Sequence, residues 1–96
     1  MPQLSQRYRR DPSMVFRDIA GEMILVPIRR HVGDLESVYT LNETASFVWE
    51  RLDGERTLGE IKREVVGAFE VGAEEAEEDL LALVQQLASV GAVEAA

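Results

Sequence analysis

Apolar positions change their spacing partway along the chain. They first cluster in two short runs, Met14 to Ile19 and Glu22 to Ile28, separated by Ala20-Gly21. Runs of β-branched and apolar residues on either side of a glycine predict a hairpin. In the second run both alternating sets, Met23/Leu25 and Ile24/Val26, are apolar, which predicts a strand covered on both faces. Pro27 has no amide donor and marks the end of that strand or an edge position. Arg29 to Glu36 reads as a connecting loop holding Gly33-Asp34. Ser37 to Leu41 follows as a short third strand, carried by Val38, Tyr39 and Thr40. Residues 1–13 show no period and read as a flexible tail ahead of a domain spanning 14–93.

Beyond Leu41 the period lengthens to that of a helix. Asn42 is a suitable N-cap, and Ala45, Val48, Trp49 and Leu52 fall at i, i+3, i+4 and i+7, one apolar stripe. A tryptophan within such a stripe reads first as a core anchor. Gly54 is placed to close this helix in the left-handed conformation. Thr57-Leu58-Gly59-Glu60 matches a capping box, and Leu58, Ile61, Val65, Ala68 and Phe69 give the second helix its buried face. Gly72 interrupts the pattern. A third helix then runs from about Ala73 to Val90, with Ala76, Leu80, Leu83, Val84 and Leu87 as its stripe. Leu81 and Ala88 widen that band beyond what one packing partner needs. Gly91 ends the helix, leaving Ala92 to Ala96 as a short tail. The expected fold is α+β and winged-helix-like: a three-stranded antiparallel sheet followed by three helices.

Ninety-six residues suit one domain with one core. The absence of cysteine removes disulfides, thiol catalysis and cysteine-based zinc sites, and a single histidine, His31, leaves little for any other metal. No apolar run reaches the roughly 18–20 residues of a membrane span, and no apolar stretch follows the basic N-terminal residues as in a signal peptide. A soluble cytoplasmic protein without membrane contact is the expectation. The net charge of −8 is polarised: residues 1–31 carry six arginines against three acids, residues 32–96 fifteen acids against four bases. Such asymmetry steers a basic partner toward one end, or simply solvates a helical surface beside a basic tail.

Catalytic chemistry finds no foothold in these residues. Glu74, Glu75, Glu77, Glu78 and Asp79 crowd the start of the third helix, where carboxylates complement the helix dipole. Contiguous helical acids do not wrap a calcium ion. No nucleophile motif or phosphate-cradling glycine loop is present, and no cofactor is expected. The alternative function class is a winged-helix DNA-binding regulator. Its reading helix would be the third, and five carboxylates in its first turns oppose docking beside phosphates. Nucleic acid is therefore not an expected partner.

Peptide binding accounts for more of the pattern. The third strand is short, follows a loop and leads straight into a helix, so one edge is free to receive an extended peptide as an added strand. The wide stripe of the third helix supplies an opposite wall, although Leu80, Leu83 and Leu87 also serve as core residues.

Leu41-Asn42, Thr44-Ala45, Trp49, Leu52-Asp53-Gly54, Thr57 and Glu60-Ile61, in this order and spacing, resemble the PqqD family. Asp79-Leu80, the stretch from Leu83 to Leu87 and Gly91 extend the likeness over about Glu22 to Val93. The resemblance implies a peptide chaperone that captures the leader of a ribosomally made precursor peptide and presents it to a radical S-adenosylmethionine (SAM) enzyme. That enzyme, not this chain, carries the iron–sulfur cluster. It also implies a leader lying antiparallel to the third strand, at Val38, Tyr39, Thr40 and Leu41, faced by Leu80, Leu83 and Leu87. The name-giving members serve pyrroloquinoline quinone (PQQ) biosynthesis. Members dedicated to the quinone tend to carry a Tyr-Pro-Glu-Gly turn after the second strand. This chain has Val26-Pro27-Ile28-Arg29-Arg30 there, so a different peptide product is an equal reading.

Overall fold

The computed structural model describes residues 2–12, 14–19, 22–27 and 39–96. Its elements run β1 (Arg7–Arg10), β2 (Met14–Ile19), β3 (Glu22–Pro27), β4 (Tyr39–Leu41), α1 (Glu43–Arg51), β5 (Asp53–Thr57), α2 (Leu58–Phe69), α3 (Ala73–Ser89) and β6 (Val93–Ala95). The expected α+β arrangement is present, with the antiparallel sheet β2-β3-β4 leading into three helices. A second antiparallel sheet, β5-β1-β6, is added to it. The likeness to a winged helix is accordingly loose, since the expected three strands are joined by a second sheet.

The hairpin forms with Met14 opposite Pro27, Phe16 opposite Leu25 and Ile19 opposite Glu22. The expected turn at Ala20-Gly21, the loop from Arg29 to Glu36 and Val38 lie outside the described residues. Period-2 alternation sorts the hairpin into two faces. Met14, Met23 and Leu25 are buried, and the Phe16 ring meets Trp49 edge-on at 5.7 Å. The other face is not covered as the all-apolar pattern of β3 suggested. Val15, Ile19 and Val26 are 37%, 54% and 40% exposed, because no layer packs on that side among the described residues. Trp49 is fully buried as the core anchor, and its indole Nε1 has no acceptor among the described residues. Around it pack Leu25, Val48, Leu52, Leu58, Ile61, Leu80 and Val84, all 2% exposed or less.

Residues 7–10, expected within a tail, form the middle strand of the second sheet, opposite β5 at Arg7↔Thr57 and opposite β6 at Tyr8↔Ala95. The expected tail from Ala92 to Ala96 likewise contains β6, with Ala92 and Val93 buried. The Asp-Gly segment after α1 continues into β5. There Gly54 sits at φ +81, and Asp53 Oδ1 accepts from the amides of Glu55 and Arg56 at 2.9 and 3.0 Å. The arginines of β1 are each engaged. Arg9 pairs with Glu94 at 3.0 Å, Arg7 Nε donates to the Glu55 carbonyl, and Arg10 Nη1 donates to the carbonyls of Trp49 and Glu50. A cation at those last carbonyls complements the negative end of α1.

The segment before β1 completes the start of α2. A helix leaves its first amides without internal partners. The amides of Leu58 and Gly59 donate to the carbonyls of Gln6 and Leu4, both at 2.9 Å. The Glu60 amide donates to Thr57 Oγ1 at 3.2 Å, and Glu60 Oε1 accepts from the Thr57 amide at 2.9 Å, which is the expected capping box. α2 closes on Glu70 in the left-handed conformation, at φ 53.

Two predictions follow from these contacts. Deleting residues 1–11 removes the partners of β5, β6 and two helix amides, and should lower unfolding stability by at least about 2 kcal/mol. Urea titration of the shortened and full chains measures this, and an unchanged midpoint would refute the role given to β1. The second concerns acid. Hydrogen bonds from the Thr57 amide and then the Thr57 hydroxyl hold Glu60 below its ordinary carboxylate value, and those from the Arg56 and Glu55 amides do the same for Asp53. A depressed folded-state pKa gives stability that is complete at neutral pH and lost as pH falls below about 4. Replacing both groups, with Glu60→Gln and Asp53→Asn, should flatten the loss of thermal stability between pH 5 and pH 3, those pH limits being about one unit either side of that midpoint.

Candidate functional site

The end of β4 and the start of α1 are tied together. Asn42 Oδ1 accepts from the Ala45 amide at 2.8 Å, which fixes where the helix begins. Ser46 Oγ donates to the Leu41 carbonyl at 3.4 Å. From this corner an open groove of about 360 Å³ runs between α1 and α3. Asn42, Thr44, Ala45 and Val48 line one wall, and Ala76, Asp79, Leu80, Ala82, Leu83 and Gln86 the other. Val65 and Val71 complete the lining. The groove is apolar in its depth and polar at its mouth, and among the described residues Asp79 is the one lining residue with a formal charge.

Beside the groove, β4 pairs with β3 at Met23↔Leu41, Ile24↔Thr40 and Leu25↔Tyr39. No strand pairs with its second edge among the described residues. An edge of that kind presents backbone donors and acceptors at regular spacing.

The residues singled out in the sequence fall in different places. Leu80 and Leu83 lie together on the α3 wall, Leu80 nearly closed from solvent and Leu83 half-buried. Leu87 is buried in the core and does not line the groove. Thr40 is exposed, whereas Leu41 is buried opposite Met23. Tyr39 contributes its backbone to the edge, and Val38 lies outside the described residues. The α1 wall went unread in the sequence. Ala45 and Val48 were legible as members of one stripe, but a stripe shows only which residues avoid water. Ala45 stays half-buried because its small side chain leaves the groove open above it.

A second hollow of about 300 Å³ lies between Asp18 and Met23 on one side and Glu43, Phe47, Glu50 and Phe69 on the other. It is shallower, and its aromatic floor is already used. Phe47 meets Phe69 edge-on at 5.1 Å, and the Arg51 guanidinium stacks 3.4 Å from the Phe47 centroid while pairing with Glu64. Among the described residues no three histidine or acidic side chains converge on a point that would hold a metal ion. No helix of the described residues is long and apolar enough to cross a membrane.

A solved structure of lasso peptide synthetase B1 complexed with its leader peptide superposes with a TM-score of 0.76 at 25% identity. The match covers 92% of this chain and 98% of that one. A structure of TbiB1 in complex with the TbiA(beta) leader peptide gives a TM-score of 0.74 at 20% identity, over 90% and 94% of the two chains. No curated protein sequence matches the chain. The family model described as coenzyme PQQ synthesis protein D (PqqD) matches residues 22–93, from the start of β3 into β6. With three-quarters of its length under that model and its fold shared with leader-bound relatives, the chain belongs to the PqqD family.

Proposed function

We propose that this protein is a non-catalytic adaptor that binds the leader segment of a ribosomally made precursor peptide. The observation that carries this reading is an apolar groove beside a sheet edge that has no second strand among the described residues. An extended peptide added to β4 gains backbone hydrogen bonds from the edge, while alternate side chains enter the groove between α1 and α3. That both structural relatives are complexed with leader peptides supports a leader as the guest. Holding the leader while touching a separate modifying enzyme raises the local concentration of the precursor, so two modest contacts act as one stronger one.

For the enzyme partner, the family's name-giving role points to a radical SAM protein and to PQQ. The lasso peptide relative and the missing Tyr-Pro-Glu-Gly turn favour a precursor other than the PQQ one. The adaptor reading does not depend on that choice. A cytoplasmic location follows from it, since ribosomal precursors are modified where they are made.

DNA recognition fits the structure less well. Among the described residues, Glu77 is the one ion-paired acid of the five at the start of α3, held by Lys62 at 3.0 Å. The remaining four present uncompensated charge where a reading helix would meet phosphates.

Two measurements test this function. Titration of the cognate leader peptide should shift backbone amides of β4 and α3, and Leu83→Asp should weaken binding at least about tenfold by placing a carboxylate in an apolar wall. Because Leu83 also touches the core, Ala82→Arg serves beside it: Ala82 is exposed at the mouth, so the variant blocks the groove without disturbing packing. Unchanged binding by a folded Ala82→Arg variant would remove the groove from the site. In a gel-shift assay with duplex DNA at low salt, where phosphate attraction is strongest, no shift should be seen.

A further inference from the structure

Among the described residues the groove carries one charged side chain, Asp79. Asp79 stands at the mouth, exposed, and no hydrogen bond or ion pair engages it among the described residues. The cations of the helical half are committed elsewhere: Arg51 and Arg56 to Glu64, Lys62 to Glu77. Arg63 is exposed on α2 and makes no ion pair with Asp79. Glu75, one turn earlier on the same row of α3, and Glu78 beside it deepen the negative potential there.

A wholly apolar guest would cover this carboxylate without pairing it, and an acidic guest would be repelled. In an extended guest, side chains two positions apart share a face and lie about 6.6–7 Å from each other. Val48, Val65 and Leu80 line the apolar floor of the groove, and Asp79, which precedes Leu80 on α3, stands at its rim. We propose that the groove selects a peptide in which a bulky aliphatic side chain has a lysine or arginine two positions away, the aliphatic group seated on the floor and the cation held by Asp79. This rests on the peptide-adaptor function and deepens it by naming the recognised pattern. A half-exposed ion pair of this kind discriminates by about two- to fivefold, and less as salt is raised.

The test is selection of a phage-displayed random 16-residue peptide library on the full chain, on Asp79→Asn and on Ala82→Arg, with circular dichroism confirming that all three are folded. Peptides enriched on the unaltered chain should carry Leu, Ile, Val or Met with Lys or Arg two positions away. Asp79→Asn should keep the aliphatic preference and lose the cationic one. Aliphatic enrichment without a cationic bias, or a bias that persists in Asp79→Asn, overturns the pattern and leaves the adaptor function standing. Enrichment no greater than on Ala82→Arg overturns both, because the groove is then not a peptide site.

Discussion

Backbone amides and carbonyls withdrawn from water must find partners, and the strand Arg7–Arg10 is where two separate parts of this fold find theirs. Its edges are taken by β5, which leads into α2, and by β6, which follows α3. The carbonyls just before it take the first two amides of α2. One short strand thus fixes where α2 begins and where the chain goes after α3, and Arg10 reaches from it to the closing carbonyls of α1. All three helices are referred to it, so the separation of the α1 and α3 walls depends on it. In the other sheet β4 is an outer strand, paired to β3 and with no partner on its second edge among the described residues.

Local chemistry was the part of the fold open to reading in the sequence. Thr57 and Glu60 satisfy each other's amides across three residues, and Asn42 caps α1 at the same range, so both helix starts were visible. The helical stripes were visible too, since burial of one face imposes its own period. β1, β5 and β6 were not. The sequences RYRR, DGERT and VEA are short and lack an alternating apolar pattern, and their pairing joins residues 44 to 87 positions apart, as in Arg9↔Asp53 and Tyr8↔Ala95. The arginines gave the impression of a solvated tail because their partners, Glu94 and main-chain carbonyls, are specified by the tertiary fold alone. β3 shows the converse. Ile24 and Val26 have the composition of covered residues, yet that side of the sheet meets no layer among the described residues, and the apolar surface stays open.

The site was legible to a similar depth. The broad stripe of α3 signalled two duties, and the structure divides them: Val84 and Leu87 are buried in the core, while Leu83 reaches the groove and Leu80 serves both. The second wall could not be deduced, because the approach of α1 to α3 is set by the packing of Trp49 and Leu52 and not by any motif in Ala45 or Thr44. The acid cluster at the head of α3 also splits. Glu74 and Glu75 lie in the first turn beside unsatisfied amides, whereas Asp79 is a turn further on and looks into the groove. Counting charges cannot separate those circumstances; the helix phase relative to α1 does.

The adjacency of β1 and β6 has a mechanical consequence. The chain enters the domain and leaves it side by side, with the Ala96 amide donating to the Arg7 carbonyl at 2.9 Å. A tether of a few residues would bridge the two ends, the geometry that favours circular permutation and insertion into a host polypeptide. Spliced into a larger protein in this way, the module would hang from a single narrow stalk, and pulling on that stalk would load the β1–β6 ladder before it strained either helix lining the trough.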